Sequence, residues 1–247
     1  MSPRKRLDLA LVERGLVKSP EKAQRLILAG QIRVGGRVAT KAGQNVKPDE
    51  ALEVAAGERF VGRGGLKLDA ALDHFQISCR DKACLDLGAS TGGFADCLLQ
   101  RGARRVFAVD VGENLIAWKL RIDPRMRLLE KTNARYLKPE MLDEPVQLVT
   151  ADVSFISLRK VLPPARLCAR AQADFVVLIK PQFEAKRENV ARGGVVRDPA
   201  VHQRVIEEIR SFVESELSAI WRGVIESPIT GPAGNKEFLA WFRVGLS

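Results

Sequence analysis

The sequence predicts an α/β protein: a Rossmann-like, doubly wound sheet preceded by a small basic α+β module. Three observations predict it. From residue 80 onward, short apolar runs that often end on a charged residue alternate with helical patterns. A glycine-rich turn, Gly88-Ala89-Ser90-Thr91-Gly92-Gly93, joins the first of these runs to a helix. Positive charge is crowded into residues 1–47, which hold 11 Lys/Arg against 3 Asp/Glu.

In chain order, Leu7, Leu9, Leu11 and Val12 predict a short helix stopped at Gly15. Ser19-Pro20-Glu21 opens a second, with Ser as N-cap and Pro at the first helical position. Its apolar face is Ala23, Leu26 and Ile27, and Gly30 ends it. Ile32-Arg33-Val34, Gly35-Gly36 and Arg37-Val38 read as a hairpin, and Leu52-Glu53-Val54 as a closing strand. Ala55-Ala56-Gly57-Glu58 reads as a linker. We therefore expect domains over 1–60 and 61–247. Beyond the glycine-rich stretch Arg59–Gly65, residues Leu66–Leu72 turn helical. Lys67 lies near that helix's N-terminus, against the dipole, as if its charge were used elsewhere.

In the larger part, Cys84–Leu87 is a strand and Phe94–Leu99 a helix. Arg105–Asp110, Arg127–Glu130, Gln147–Asp152 and Phe175–Lys180 are further strands, and Leu115–Arg121 is a short helix. Leu158–Ala169 is helical, with a break expected at Pro163-Pro164. Pro199–Leu217 is a long amphipathic helix, and Ala219–Glu226 and Glu237–Val244 close the sheet. Asp86, Asp110, Asp152 and Lys180 fall at or near strand C-termini, where such sheets bind ligands. Glu237 opens the last strand, and would share that side only if the strand ran antiparallel.

The net charge of +10 points towards nucleic acid or another anionic surface. Four cysteines without a Cys-x-x-Cys and two histidines give no metal spacing, and read as reduced thiols of a cytoplasmic protein. No signal peptide is evident, and the five-residue run Phe175–Ile179 is far too short for a membrane span. The glycine turn lacks Gly-x-Gly-x-x-Gly. It also has Phe94-Ala95 where a P-loop needs Lys-Ser/Thr. An acid in the preceding strand suits a ligand with an amine and a positive centre, such as S-adenosylmethionine; an ordinary tight turn is the bland alternative. Asp110, ~20 residues beyond, suits a ribose diol.

Residues 7–38, with Leu-Val-Glu-Arg-Gly-Leu-Val-Lys-Ser and Gly-Gln-Ile-Arg-Val-Gly-Gly-Arg-Val, resemble an S4 domain. That resemblance implies structured-RNA binding. Arg4, Arg6, Lys22, Arg25, Arg33, Arg37 and Lys41, with Arg63 beyond the linker, are then the expected RNA contacts. Asp-Leu-Gly-Ala-Ser-Thr-Gly-Gly-Phe (86–94), Ala-Val-Asp-Val-Gly (108–112), Thr-Asn-Ala-Arg (132–135), Asp-Val-Ser-Phe-Ile-Ser-Leu (152–158) and Lys-Pro-Gln-Phe-Glu (180–184) stand in order. So does Gly-Pro-Ala-Gly-Asn-Lys-Glu-Phe (231–238). On these the second part resembles the FtsJ-type ribose 2′-O-methyltransferases, and the whole chain the TlyA family, often labelled haemolysin A. Phe60 departs from the Trp some members carry.

The resemblance implies an S-adenosylmethionine-dependent methyltransferase fold with a mixed sheet, acting on ribosomal RNA at a cytidine ribose. It places a catalytic tetrad on Lys67, Asp152, Lys180 and Glu237. Cofactor contacts are expected from Asp86, Gly88, Ser90, Thr91, Gly92, Gly93, Phe94, Asp110, Val111, Asn133, Ala134 and Asp152. Chemically, a ribose hydroxyl is a poor nucleophile, and adjacent buried lysines lower each other's proton affinity, so Lys180 is the expected base. Asp152 and Glu237 would orient the lysines, although a purely structural ion-pair cluster uses the same residues. Phe155 and Phe183 follow Asp152 and Lys180 by three; core packing is the ordinary role for Phe, and stacking on a flipped base the functional one. A non-catalytic RNA-binding or ribosome-assembly factor and a membrane-lytic protein are the rival readings. No metal and no membrane partner are expected, and the oligomeric state stays open.

Overall fold

A computed structural model describes residues 4–55 and 59–245. Ala56-Gly57-Glu58 of the expected linker therefore lies outside the described residues. The chain divides into two compact units, between Arg59 and Phe60.

The first unit runs β1 (Lys5–Arg6), α1 (Leu7–Glu13), α2 (Pro20–Leu28), β2 (Ile32–Val34), β3 (Arg37–Val38), β4 (Asn45–Val46) and β5 (Leu52–Val54). The Ser19 side chain accepts from Lys22 N, as an N-cap should. Strand β2 pairs antiparallel with β3 and β5, and β1 with β4. Leu7, Ala10, Leu11, Ala23, Ile27 and Ile32 form the core. Leu9, expected on the apolar face, is exposed; Ala10 takes that place because its spacing from Leu7 fits the helical period.

The second unit begins with α3 (Gly64–His74), β6 (Ala83–Leu87), α4 (Gly93–Gln100), β7 (Arg105–Val109), α5 (Trp118–Arg121), β8 (Met126–Leu129) and β9 (Val146–Ala151). It continues with α6 (Leu158–Leu167), β10 (Ala169–Ile179), α7 (Pro181–Glu184), α8 (Pro199–Glu216), β11 (Ala219–Glu226) and β12 (Phe238–Val244). Seven strands form one sheet in the order β11-β12-β10-β9-β6-β7-β8. The pairs among β8, β7, β6, β9 and β10 are parallel, and β12 is antiparallel to both β10 and β11. The sheet is mixed, and the strand order reverses between β6 and β9, the place where such sheets open a crevice. Alternate residues of β10 serve opposite faces. Phe175, Val177 and Ile179 pack in the layer with α6 and α8, and Val176 and Leu178 in the layer with α3 and α4. Phe60 is buried in that second layer, as part of the second unit's core.

Most boundaries move by a residue or two, and three departures from expectation are larger. Helix α6 runs unbroken through Pro163 and Pro164. The carbonyls that lose their i+4 donor are those of Arg159 and Lys160, both exposed residues, while Val161, Leu162 and Ala165 hold the helix to the core. Helix α5 begins at Trp118 instead of Leu115, because Asn114 takes φ +59° and gives its amide to Glu130. Strand β10 starts six residues early, at Ala169, through an exposed stretch whose Gln172 has φ +59°; its polarity hides it in the sequence.

Candidate active site

The turn after β6 packs as closely as its small residues suggest. Gly88 has φ +78°, and a Cβ there would lie 2.6 Å from the Asp152 carbonyl oxygen. At Gly93 a Cβ would come 3.0 Å from Gly65 N and 3.1 Å from Gly62 O, so the start of α4 sits against the glycine-rich stretch before α3. Asp96 fixes that stretch by accepting the Val61 amide at 2.8 Å.

Beside the turn is a cavity of about 460 Å³. Of the expected cofactor contacts, Gly88, Ser90, Asp110, Val111, Asn133, Ala134 and Asp152 line it. Leu115, Ser154 and Phe155, which the sequence reading did not place there, line it too. Asp110 steadies the rim, its two oxygens accepting from Ser90 N (2.8 Å) and Gly112 N (2.7 Å). The Asn133 side chain accepts from Arg135 N at 3.0 Å and so holds the backbone at Ala134. A second cavity, of about 120 Å³, shares Gly88, Ser90 and Asp152 with the first and adds Thr91, Gly93 and Phe94.

Two of the expected contacts stand apart from the cavities. Asp86 is fully buried and lines none of these cavities. Thr150 Oγ1 donates to its Oδ1 at 2.9 Å. Burial pushes this carboxyl up to about 7. Alternation along β6 turns Asp86 to the face that Cys84 shares with α3 and α4, opposite to Leu85 and Leu87. Gly92, at φ +96°, also lies off the cavities; a Cβ there would strike Leu120 of α5.

Lys67, Asp152, Lys180 and Glu237 line one further cavity, of about 210 Å³, with Arg63, Gly64 and Thr230. It shares Arg63, Gly64 and Asp152 with the second cavity. The four side chains come from α3 and from the ends of β9, β10 and β12. Because β12 runs antiparallel to β10, Glu237 at its start reaches the rim that the parallel strands reach at their ends. Lys67 Nζ meets Glu237 Oε2 at 2.5 Å, with both side chains buried. Lys180 Nζ lies 2.6 Å from Asp152 Oδ1 as an ion pair, and donates to Ser154 Oγ at 2.9 Å. Each lysine thus has its own carboxylate. Ser154 was missed by the sequence reading; its place two residues past Asp152 in Asp-Val-Ser-Phe was the available signal.

Phe155 corrects the core-packing alternative. It is 91% exposed and holds φ +62°. A bulky side chain there stores of order 1–3 kcal/mol of backbone strain, which is found mainly where function asks for it. Its ring centroid lies 5.1 Å from that of half-buried Phe183.

The basic side chains of the first unit divide. Arg4, Lys22, Arg25, Arg37 and Lys41 are exposed. Arg33 is exposed and gives one N–H to Gly36 O at 3.1 Å. Arg6 turns two N–H groups onto buried Asp8, at 3.2 and 2.8 Å, so its fork is taken by an internal carboxylate. In the second unit Arg63 is exposed at the cavity edge. All four cysteines are buried free thiols. Among the described residues no cluster fit for a metal ion and no helix long and apolar enough to cross a membrane occurs.

The family model for FtsJ-like methyltransferases matches residues 60–244, and that for the S4 domain matches residues 5–52. The 16S/23S rRNA (cytidine-2′-O)-methyltransferase TlyA of Mycobacterium tuberculosis (strain ATCC 25618 / H37Rv) is 47% identical over 98% of this chain and 91% of its own. Hemolysin A of Brachyspira hyodysenteriae is 41% identical over 97% of this chain and 100% of its own. A solved structure from Streptococcus thermophilus that carries a hemolysin label superposes with a TM-score of 0.75 at 39% identity, covering 99% of this chain and 90% of that one.

Proposed function

Since the chain belongs to the TlyA family of FtsJ-like methyltransferases, we propose that it methylates a ribose 2′-hydroxyl of ribosomal RNA, on a cytidine, with S-adenosylmethionine as donor. The observation that carries this reading is the meeting of Lys67, Asp152, Lys180 and Glu237 on one cavity that adjoins the glycine-turn crevice. The crevice fits the cofactor: backbone approaches closely at Gly88, Asp110 offers a carboxylate for a diol, and Val111 and Leu115 offer an apolar wall. S-adenosylmethionine supplies an activated methyl on a sulfonium centre. The chain's own work is positioning and proton handling.

In this reading Lys180 acts as the neutral amine: its nitrogen takes the hydroxyl proton as the ribose oxygen attacks, Asp152 and Ser154 fix its direction, and Asp152 stabilises the ammonium that forms. Glu237 holds Lys67 across the cavity, where the lysine steadies the developing oxyanion. Phe155 and Phe183 present a stacking surface to a nucleobase turned out of its helix. We assign the first unit to docking on structured rRNA and the second, which starts at Phe60 and not at residue 61, to catalysis, in a cytoplasmic enzyme. Exposed Arg4, Lys22, Arg25, Arg33, Arg37, Lys41 and Arg63 contact phosphates.

Lys180→Ala is expected to lose methyl transfer by at least ~100-fold, the usual worth of a general base, while cofactor and rRNA affinities persist. Transfer of tritiated methyl to rRNA from a strain lacking the gene measures this. A wild-type rate with both ligands bound would remove Lys180 from the role.

A further inference from the structure

Two short segments of the second unit face each other like the rails of a ladder: residues 152–158, from the end of β9 into α6, and residues 180–184, from the end of β10 through α7. Three cross-links join them in order. Lys180 meets Asp152 and Ser154. Phe183 meets Phe155. Glu184 then closes the far end: its Oε2 accepts from Ser157 Oγ at 2.6 Å, and its Oε1 from the Leu158 amide at 2.7 Å.

The last cross-link has no place in the methyl-transfer chemistry above. Glu184 lines none of the three cavities, and no cation forms a salt bridge with it among the described residues. Burial pushes its carboxyl above the usual range, against the pull of its two donors. A half-buried carboxylate held by a hydroxyl and a helix-terminal amide is a rigid anchor. What it anchors is specific. It is adjacent to Phe183 on one rail, and its two donors follow Phe155 by two and three residues on the other. Phe155 holds its left-handed backbone and full exposure only if the chain on both sides of it is fixed. Lys180 fixes one side, and Glu184 the other.

We propose that Glu184 is a positioning residue that sets the Phe155–Phe183 pair as a preformed nucleobase platform, in register with the Lys180 end of the same ladder. This rests on the stacking reading given under Proposed function. The Lys180 Nζ lies 5.9 Å from the Phe183 ring centre, so a shift of that ring is felt at the proton-accepting end. Glu184 therefore acts on the rate at which bound RNA is methylated more than on how tightly RNA or cofactor is held.

The test uses the full chain, rRNA from a strain lacking the gene, and four variants: Glu184→Ala, Glu184→Gln, Phe155→Ala and the double Glu184→Ala/Phe155→Ala. Single-turnover methyl transfer is measured at saturating RNA, with S-adenosylmethionine affinity by calorimetry and RNA affinity by filter binding. Glu184→Ala is expected to slow transfer about tenfold or more, with both affinities within about twofold of wild type. Glu184→Gln keeps an acceptor for Leu158 and a partner for Ser157, and should recover most of the rate. The double variant should be no slower than Phe155→Ala alone, since both changes act through one ring.

If Phe155→Ala is slow and Glu184→Ala is at wild-type rate, Glu184 does not position the platform, and the stacking reading survives. If neither variant slows transfer, the stacking reading falls and takes this inference with it. Multiplying losses in the double variant, or loss of cofactor affinity in Glu184→Ala, would show Glu184 acting by another route and overturn the proposal.

Discussion

Burying a carboxylate without a cation is costly, and Asp86 shows the cost in a measurable form. Its carboxyl is raised from an ordinary 3.8 to about 7, chiefly by loss of water. A carboxyl raised on folding contributes stability that is complete below its unfolded value and lost as pH climbs through the folded value. Asp86→Asn should therefore melt above wild type near about pH 8, and keep only a minor part of that advantage near about pH 5; thermal scans at the two pH values decide it. Lys67 and Glu237 behave differently, since each compensates the other. Removing one leaves a buried charge alone, so Glu237→Ala should cost about 3–5 kcal/mol, read as a fall in the unfolding midpoint of the second unit. The sequence revealed where these acids stand along the chain. It hid that Asp86 turns into the layer with α3 and α4, because a strand's two faces are fixed only by the neighbours it acquires.

At the scale of elements, the turn from β6 to α4 is where substitution is least tolerated. Gly88→Ala adds a Cβ at positive φ and 2.6 Å from the Asp152 carbonyl, so either the turn or the end of β9 must move. We expect a loss of at least ~1–3 kcal/mol and a drop in cofactor affinity measured by calorimetry, because Asp152 belongs to all three cavities. This turn was legible, since a run of side chains no larger than Thr between a strand and a helix suits little besides a close approach of the backbone. Helix α6 was legible in place but not in continuity. Proline lowers a helix's intrinsic stability, yet tertiary packing of Val161, Leu162 and Ala165 outweighs two lost hydrogen bonds on an exposed flank. The early part of β10 was not legible, because exposed Arg170 and Gln172 carry no apolar alternation to announce a strand.

For the whole molecule, two units with separate cores separate two kinds of binding. Neutralising Arg25, Arg33, Arg37 and Lys41 together should weaken rRNA binding. It should also flatten the salt dependence by roughly 0.7–0.9 in log–log slope for each phosphate no longer neutralised. Cofactor affinity should not change. Conversely, S-adenosylmethionine at about 100 times its dissociation constant should stabilise the second unit by about 2.7 kcal/mol and leave the first where it was; calorimetry that resolves the two transitions reads both. The architecture was visible beforehand because alternating strands and helices admit few topologies. The direction of β12 was the undecided point, and antiparallel pairing on both of its edges settles where Glu237 lies.

That reversal bears on how the molecule comes into being. Strand β12 inserts between β10 and β11, and Glu237 stands immediately before its first residue. During translation, every other contributor to the tetrad emerges and can fold before this strand does. A nascent polypeptide thus owns the crevice and three of four charged groups while β12 is still inside the ribosome. Until that strand emerges the fourth is missing, so under the function proposed above the growing chain lacks its complete catalytic set over this interval of synthesis.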